Sequence, residues 1–166
     1  MHSWVLLFAA KHASKFAGRT LEVGSFNVNG SVRSVLPVAI GTDMRPGPDV
    51  DEVCAASQLI KNFGLESFDN VVSTEMLEHA EDWKNALDNM WGVLKPGGMF
   101  LLTTRSPGFP LHDFPGDYWR FTVDDMKKIF PDGVVVSDTE APGVGICVQK
   151  TTPQLDFSDV SPRGPR

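Results

Sequence analysis

The chain has little cysteine: only Cys54 and Cys147 occur in its 166 residues, each among small or apolar neighbours. That excludes a disulfide framework or a cysteine metal knuckle, and both read as buried thiols of a reducing compartment. Basic charge is also short. Fifteen Lys and Arg stand against 21 Asp and Glu, for a net charge of -6 and a pI near 5.1. This is the wrong sign for a partner held through phosphates, so no nucleic acid is expected. No apolar run approaches the ~20 residues that cross a bilayer. The most apolar stretch, Trp4 to Ala10, has no basic segment before it and is followed by Lys11, His12 and Lys15. It fits neither a secretory signal nor a membrane anchor. A first helix packed on a sheet, with Ser3 as its cap, is expected instead, with no membrane partner and a cytoplasmic location.

What is present is enough for one domain with a real core, at 42% hydrophobic and 22% charged residues. The central stretch is Leu21-Glu22-Val23-Gly24-Ser25-Phe26-Asn27-Val28-Asn29-Gly30, an apolar strand end carrying an acid, then a turn with a glycine at each end. Strand, loop and a helix start at Ser31-Val32-Arg33 form the context in which backbone N–H groups point at a ligand. The dinucleotide fingerprint would need glycine at positions 26 and 29, where Phe26 and Asn29 stand. A ligand without a pyrophosphate does not require that close approach, and an adenosyl compound with an amino acid tail is one. A tight turn with no ligand is the plainer alternative.

Further along, Val38 to Asp43 reads as a second strand ending in an acid. In an open parallel sheet Glu22 and Asp43 would then project from neighbouring strand ends into one crevice. A carboxylate there can accept both hydroxyls of a ribose, or can cap the turn before Pro46-Gly47-Pro48. Asp49 to Val53 reads as a third strand and Phe68 to Thr74 as a fourth. A helix over about 81–94 presents Trp83, Leu87, Met90, Trp91 and Leu94 on one apolar face. Lys95-Pro96-Gly97-Gly98 stops it, and Met99 to Thr104 has the continuous apolar character of a buried central strand. After a long loop, Thr122 caps a helix containing Met126 to Phe130. Val134 to Val136 and Ile146 to Val148 form the last two strands, joined by a connection too short for a crossover helix and so antiparallel. The expected domain is 1–150, with 151–166 as a flexible tail.

The acid-glycine loop, the acid after strand two, Ser73-Thr74-Glu75-Met76-Leu77-Glu78-His79 after strand four, and Leu94-Lys95-Pro96-Gly97-Gly98 occur in the order seen in a known family. The chain resembles the class I S-adenosylmethionine-dependent methyltransferases, in particular the type 11 group, over Leu21 to Lys150. The resemblance implies a Rossmann-like, doubly wound α/β sheet of seven strands, mostly parallel with an antiparallel last strand. It implies S-adenosylmethionine as cofactor and a small-molecule acceptor, with a sugar or other hydroxyl compound in view. Donor contacts then fall on Glu22, Gly24, Ser25, Asn29 and Gly30, on Asp43 and Met44, and on Thr74 and Glu75. The family's usual adenine-binding acid after strand three is replaced by Ala55, leaving backbone or Ser57 for that contact.

Methyl transfer from a sulfonium is mainly a positioning task, and a base is needed only for a protonated acceptor. His79 and His112 are the candidates, since an imidazole can be neutral near pH 7 and accept a proton. For each, a hydrogen-bonded structural histidine is the competing role. Glu75, Glu78 and His79 could converge on a divalent ion if the segment turns helically, but no metal is expected. The loop from Arg105 to Thr122 is long enough to suggest function. Tyr118 and Trp119 could form an apolar wall for the acceptor, and Arg120 could pair with an anionic group. Arg120 could instead bond to Asp113 or Asp117 beneath an aromatic lid. A donor-binding domain without catalysis and a nicotinamide oxidoreductase are the alternative functions, and Phe26 and Asn29 speak against the latter.

Overall fold

The computed structural model describes residues 2–112 and 116–165. Its centre is a sheet of seven strands: β1 (Thr20–Val23), β2 (Val38–Asp43), β3 (Glu52–Val53), β4 (Phe68–Thr74), β5 (Leu94–Arg105), β6 (Val134–Asp138) and β7 (Gly143–Gln149), in the order β3-β2-β1-β4-β5-β7-β6. The pairings among β1 to β5 are parallel, and β7 runs antiparallel to both β5 and β6. The doubly wound α/β expectation is met, antiparallel last strand included.

Strand periodicity divides the apolar residues between two faces. Val71, Phe100, Leu102 and Ile146 face one cluster together with Trp83, Leu87, Met90 and Trp91 of α3 (Trp83–Val93). Their sequence neighbours Val72, Leu101 and Cys147 face the other, against Phe8 and Ala9 of α1 (Ser3–His12) and against Val32 and Leu36. The remaining helices are the short α2 (Leu59–Phe63) and α4 (Val123–Ile129). At α4 the cap is complete: Thr122 Oγ1 accepts from Asp125 N, and the Asp125 carboxylate accepts from Thr122 N.

Several expectations need correction. Ser3 is the first residue of α1, and His2 stands at the cap position without a side-chain capping bond. The helix start at Ser31 amounts to one 3-10 turn, Val32–Ser34, with Ser31 as its cap. Pro37 follows too soon for the turn to grow into a helix. Strand three keeps only Glu52–Val53 of the five residues assigned to it, because Asp49 turns at φ 64. β5 begins at Leu94 rather than Met99, since Gly97 N donates to Lys150 O and Lys150 N to Gly98 O. The tail after Lys150 packs down: Trp91 Nε1 donates to Thr152 O, the Phe157 ring meets Trp83, and Val160 is buried.

Candidate functional site

β1, β2 and β4 end on the same side of the sheet, and a crevice of about 490 Å³ opens there, within the range of small-molecule sites. Its wall runs from Val23, Gly24, Phe26 and Val28 through Asp43, Met44 and Arg45 to Cys54, Ala55, Ala56 and Ser57. It continues past Glu75, Met76, His79 and Ala80 to Tyr118. Gly24 sits at φ 79, and a Cβ there would come within 2.5 Å of Met76 Cγ. Glycine is thus required twice over, for conformation and for space.

Of the residues assigned to the donor, Gly24, Asp43, Met44 and Glu75 line this crevice. Asp43 Oδ1 accepts from Arg45 N at 3.1 Å, so the turn cap and the crevice share one carboxylate. Glu75 holds a left-handed backbone at φ 53; such strain persists where surrounding contacts fix it. Its N–H donates to Thr103 O, and its carboxylate pairs with Arg105 and lies 3.2 Å from His2 Nδ1. Ser25, Asn29, Gly30 and Thr74 are not part of the lining. Ser25 and Thr74 are buried behind it, and Gly30 N donates to Asn27 Oδ1.

Glu22 also turns away from the crevice. It is buried, and Arg33 Nε reaches its Oε2 at 3.3 Å while the same guanidinium bonds Asp49 O and the Asp51 carboxylate. Burial raises its pKa to about 7 against the opposing pull of Arg33. Glu22 and Asp43 therefore do not converge as expected, because β1 tucks its acid under the loop.

The long loop is tied to the turn after β4. Tyr118 N donates to Glu78 O, Trp119 Nε1 to Ala80 O, and His79 Nδ1 bonds Gly116 O. Tyr118 reaches the crevice, whereas Trp119 braces the turn. Arg120 is only 2% exposed. Its guanidinium is taken up by Asp117 and by the carbonyls of Phe109, Pro110 and Trp119. No donor is left for an acceptor anion, so of the two roles open to Arg120 the structure displays the bond to Asp117; Asp113 lies outside the described residues. Burial pushes the Asp117 carboxyl up, but the Arg120 guanidinium and the His112 N–H outweigh it and hold it at about 2.

His79 lines the crevice, while His112 stands behind it with the ring centroids 4.8 Å apart. Burial lowers the pKa of His112, against the pull of Asp117, and raises that of Glu78, which is wholly buried. Sequence reasoning missed Met76 and Ala80 as wall residues.

A family model described as "Methyltransferase domain" matches residues 35–102. No curated protein sequence matches the chain. The fold is similar to that of the 1,6-didemethyltoxoflavin-N1-methyltransferase of Burkholderia thailandensis, solved with 1,6-didemethyltoxoflavin and S-adenosylhomocysteine. The TM-score is 0.67 at 16% identity, covering 90% of this chain and 78% of that one. It is also similar to a SAM-dependent methyltransferase of Thermotoga maritima, with TM-score 0.61, 20% identity, and 89% and 92% of the two chains covered. A third is a SAM-dependent methyltransferase of Archaeoglobus fulgidus, with TM-score 0.64, 13% identity, and coverage of 89% and 93%.

Proposed function

We propose that this chain, matched by a methyltransferase-domain model over residues 35–102 and similar in fold to S-adenosylmethionine-dependent methyltransferases, is a class I methyltransferase of the type 11 group and that the crevice beyond β1, β2 and β4 holds the donor. Its methyl group passes to a small-molecule acceptor. The observation that carries this reading is the meeting of Gly24 and Asp43 on one crevice of about 490 Å³. Gly24 leaves the room that a Cβ would fill, and Asp43 offers a carboxylate to paired hydroxyls.

In this reading the Gly24 turn receives the amino acid end of the donor, Asp43 takes the ribose beside Met44, and the 54–57 wall receives adenine. With Ala55 in place of an acid, adenine is held by backbone and by Ser57. Glu22, Ser25, Asn29, Gly30 and Thr74 shape the loop and its support, while Glu75 braces the floor through Arg105. When bound, the donor supplies an activated methyl group, so orientation of the acceptor along the transfer line is the protein's main contribution. Tyr118 forms the apolar side of that path. His79 Nδ1, by donating to Gly116 O, leaves Nε2 with a lone pair that can take the proton of a hydroxyl or amine acceptor. The neighbour solved with didemethyltoxoflavin supports an acceptor of small-molecule size. The free buried thiols of Cys54 and Cys147 favour a cytoplasmic setting. Among the described residues no helix is long and apolar enough to cross a membrane.

Calorimetric titration with S-adenosylhomocysteine tests donor binding. Incubation with methyl-labelled donor and a metabolite extract tests transfer. Saturable binding and one labelled small molecule are expected; a folded protein giving no heat with donor or demethylated product would overturn the reading.

A further inference from the structure

Glu78, His79 and His112 each present one ligand atom, and these atoms all lie within 4.8 Å of one another. Two of the three come from one turn after β4, and the third arrives from the loop after β5, so the cluster is a product of the fold rather than of a sequence string. Glu75, which the sequence placed in such a group, is turned to Arg105 instead.

The carboxylate of Glu78 is wholly buried. Its Oε2 accepts from Thr104 Oγ1 at 2.8 Å, whereas Oε1 has no hydrogen-bond partner. Near Oε1 stand His112 Nε2 at 3.9 Å and Arg105 Nε at 3.8 Å, and the Arg105 guanidinium is already paired with Glu75 and stacked on Phe109. A buried carboxylate oxygen left this way costs free energy unless something reaches it.

Each imidazole also has an oxygen behind it, hydrogen-bonded in the case of His79. His79 Nδ1 bonds Gly116 O, and His112 Nδ1 lies 2.9 Å from Asp117 Oδ2. A carbonyl or carboxylate on one ring nitrogen fixes the tautomer and leaves the other free to coordinate, and it raises the basicity of that nitrogen. His79 and Glu78 thus have an outer hydrogen-bond partner, as metal ligands commonly do, whereas His112 Nδ1 has the Asp117 carboxylate within 2.9 Å without a hydrogen bond to it.

We propose that Glu78, His79 and His112 form a site for one divalent transition-metal ion, with zinc as the reference ion. Two imidazoles and one carboxylate suit a borderline ion; magnesium, which prefers oxygen ligands and retained water, is poorly served. Three protein ligands leave a position open, and His79 sets the cluster against the wall of the crevice. With ligand bonds of about 2.0–2.2 Å, ligand atoms stand about 3.4 Å apart, so the 3.9 Å between Glu78 Oε1 and His112 Nε2 must close by about half an ångström, and the widest separation, within 4.8 Å, must close further. The site rests on the transfer reading only for its use: a bound ion would take the lone pair that His79 otherwise offers to a proton, and would lower the pKa of an acceptor hydroxyl or water.

The test is calorimetric titration of chelator-treated protein with zinc sulfate and with magnesium chloride, together with cobalt(II) absorption, for the parent, His112→Ala and Glu78→Gln. Expected are one zinc per chain, no magnesium uptake, visible cobalt bands, and about 10–100-fold weaker zinc binding in His112→Ala. Circular dichroism reports whether each variant is folded. No zinc uptake by the parent, or equal uptake by parent and folded variants, overturns the site. Should both variants unfold, the parent's cobalt spectrum decides: absence of bands overturns it, and bands of an imidazole-rich site support it. None of these readouts involves the methyl donor, so failure here and failure of donor binding are separate results.

Discussion

Asp43 has two carboxylate oxygens and spends Oδ1 on the turn at Arg45, which leaves Oδ2 as its offer to the crevice. Asp43→Ala removes a charge-assisted bond of about 1.5–3 kcal/mol, roughly ten- to a hundredfold in affinity. Calorimetry with S-adenosylhomocysteine should show that loss, and unchanged affinity would sink the ribose role. Glu22 makes a different statement. Its pKa stands at about 7 instead of 4.5, by burial, so its neutral form is the one that the fold favours. Its contribution to stability is complete below about pH 4.5 and is lost as pH rises through 7, by roughly 3 kcal/mol. Urea melts from pH 4.5 to 8 should show the parent losing stability relative to Glu22→Gln across that window. A constant difference between the two would refute the buried, neutral acid.

At the scale of elements, the sequence was most legible where one period dominated. β2 and β4 have the bounds that the sequence suggested, and β4, buried along almost its whole length, leaves little ambiguity of register. The capping box of α4 was equally readable from Thr122 and its following acids. Legibility failed where tertiary bonds outweighed local propensity. Pro96 and the glycines after it signal a stop, yet pairing with Lys150 carries β5 across them. The tail reads as disordered from its prolines, yet Phe157 and Val160 reach the apolar cluster around Trp83. Removing residues 153–166 should therefore uncover Trp83, lower Tm by several degrees and shift tryptophan emission to the red. About 1.5–3 kcal/mol per buried apolar side chain is at stake. A truncated chain melting at the parent's temperature would show that the tail contributes nothing.

Over the whole molecule, the crevice was foreseeable in its sheet-borne parts and opaque in its loop-borne parts. Gly24 and Asp43 stand at fixed strand ends, so topology alone brings them together. Arg120 and His112 belong to a loop whose fold depends on who pairs with whom, and a sequence string cannot choose between an acceptor anion and Asp117. The resulting knot joins distant parts of the chain: Arg120 holds Asp117, Phe109 and Pro110 with its side chain and Arg163 with its backbone. Arg120→Ala should cost about 3–5 kcal/mol, since it strands a buried charge, and should appear as a lowered urea midpoint. Stability equal to the parent's would make the pair dispensable.

The order of the sheet also bears on how the chain is made. β7 lies between β5 and β6, although β6 precedes it in sequence. As the polypeptide leaves the ribosome, amino end first, β6 emerges beside no partner and must wait for β7 to slide in against β5. β7 is the keystone, and until it arrives the edge of β5 stays open to unwanted pairing.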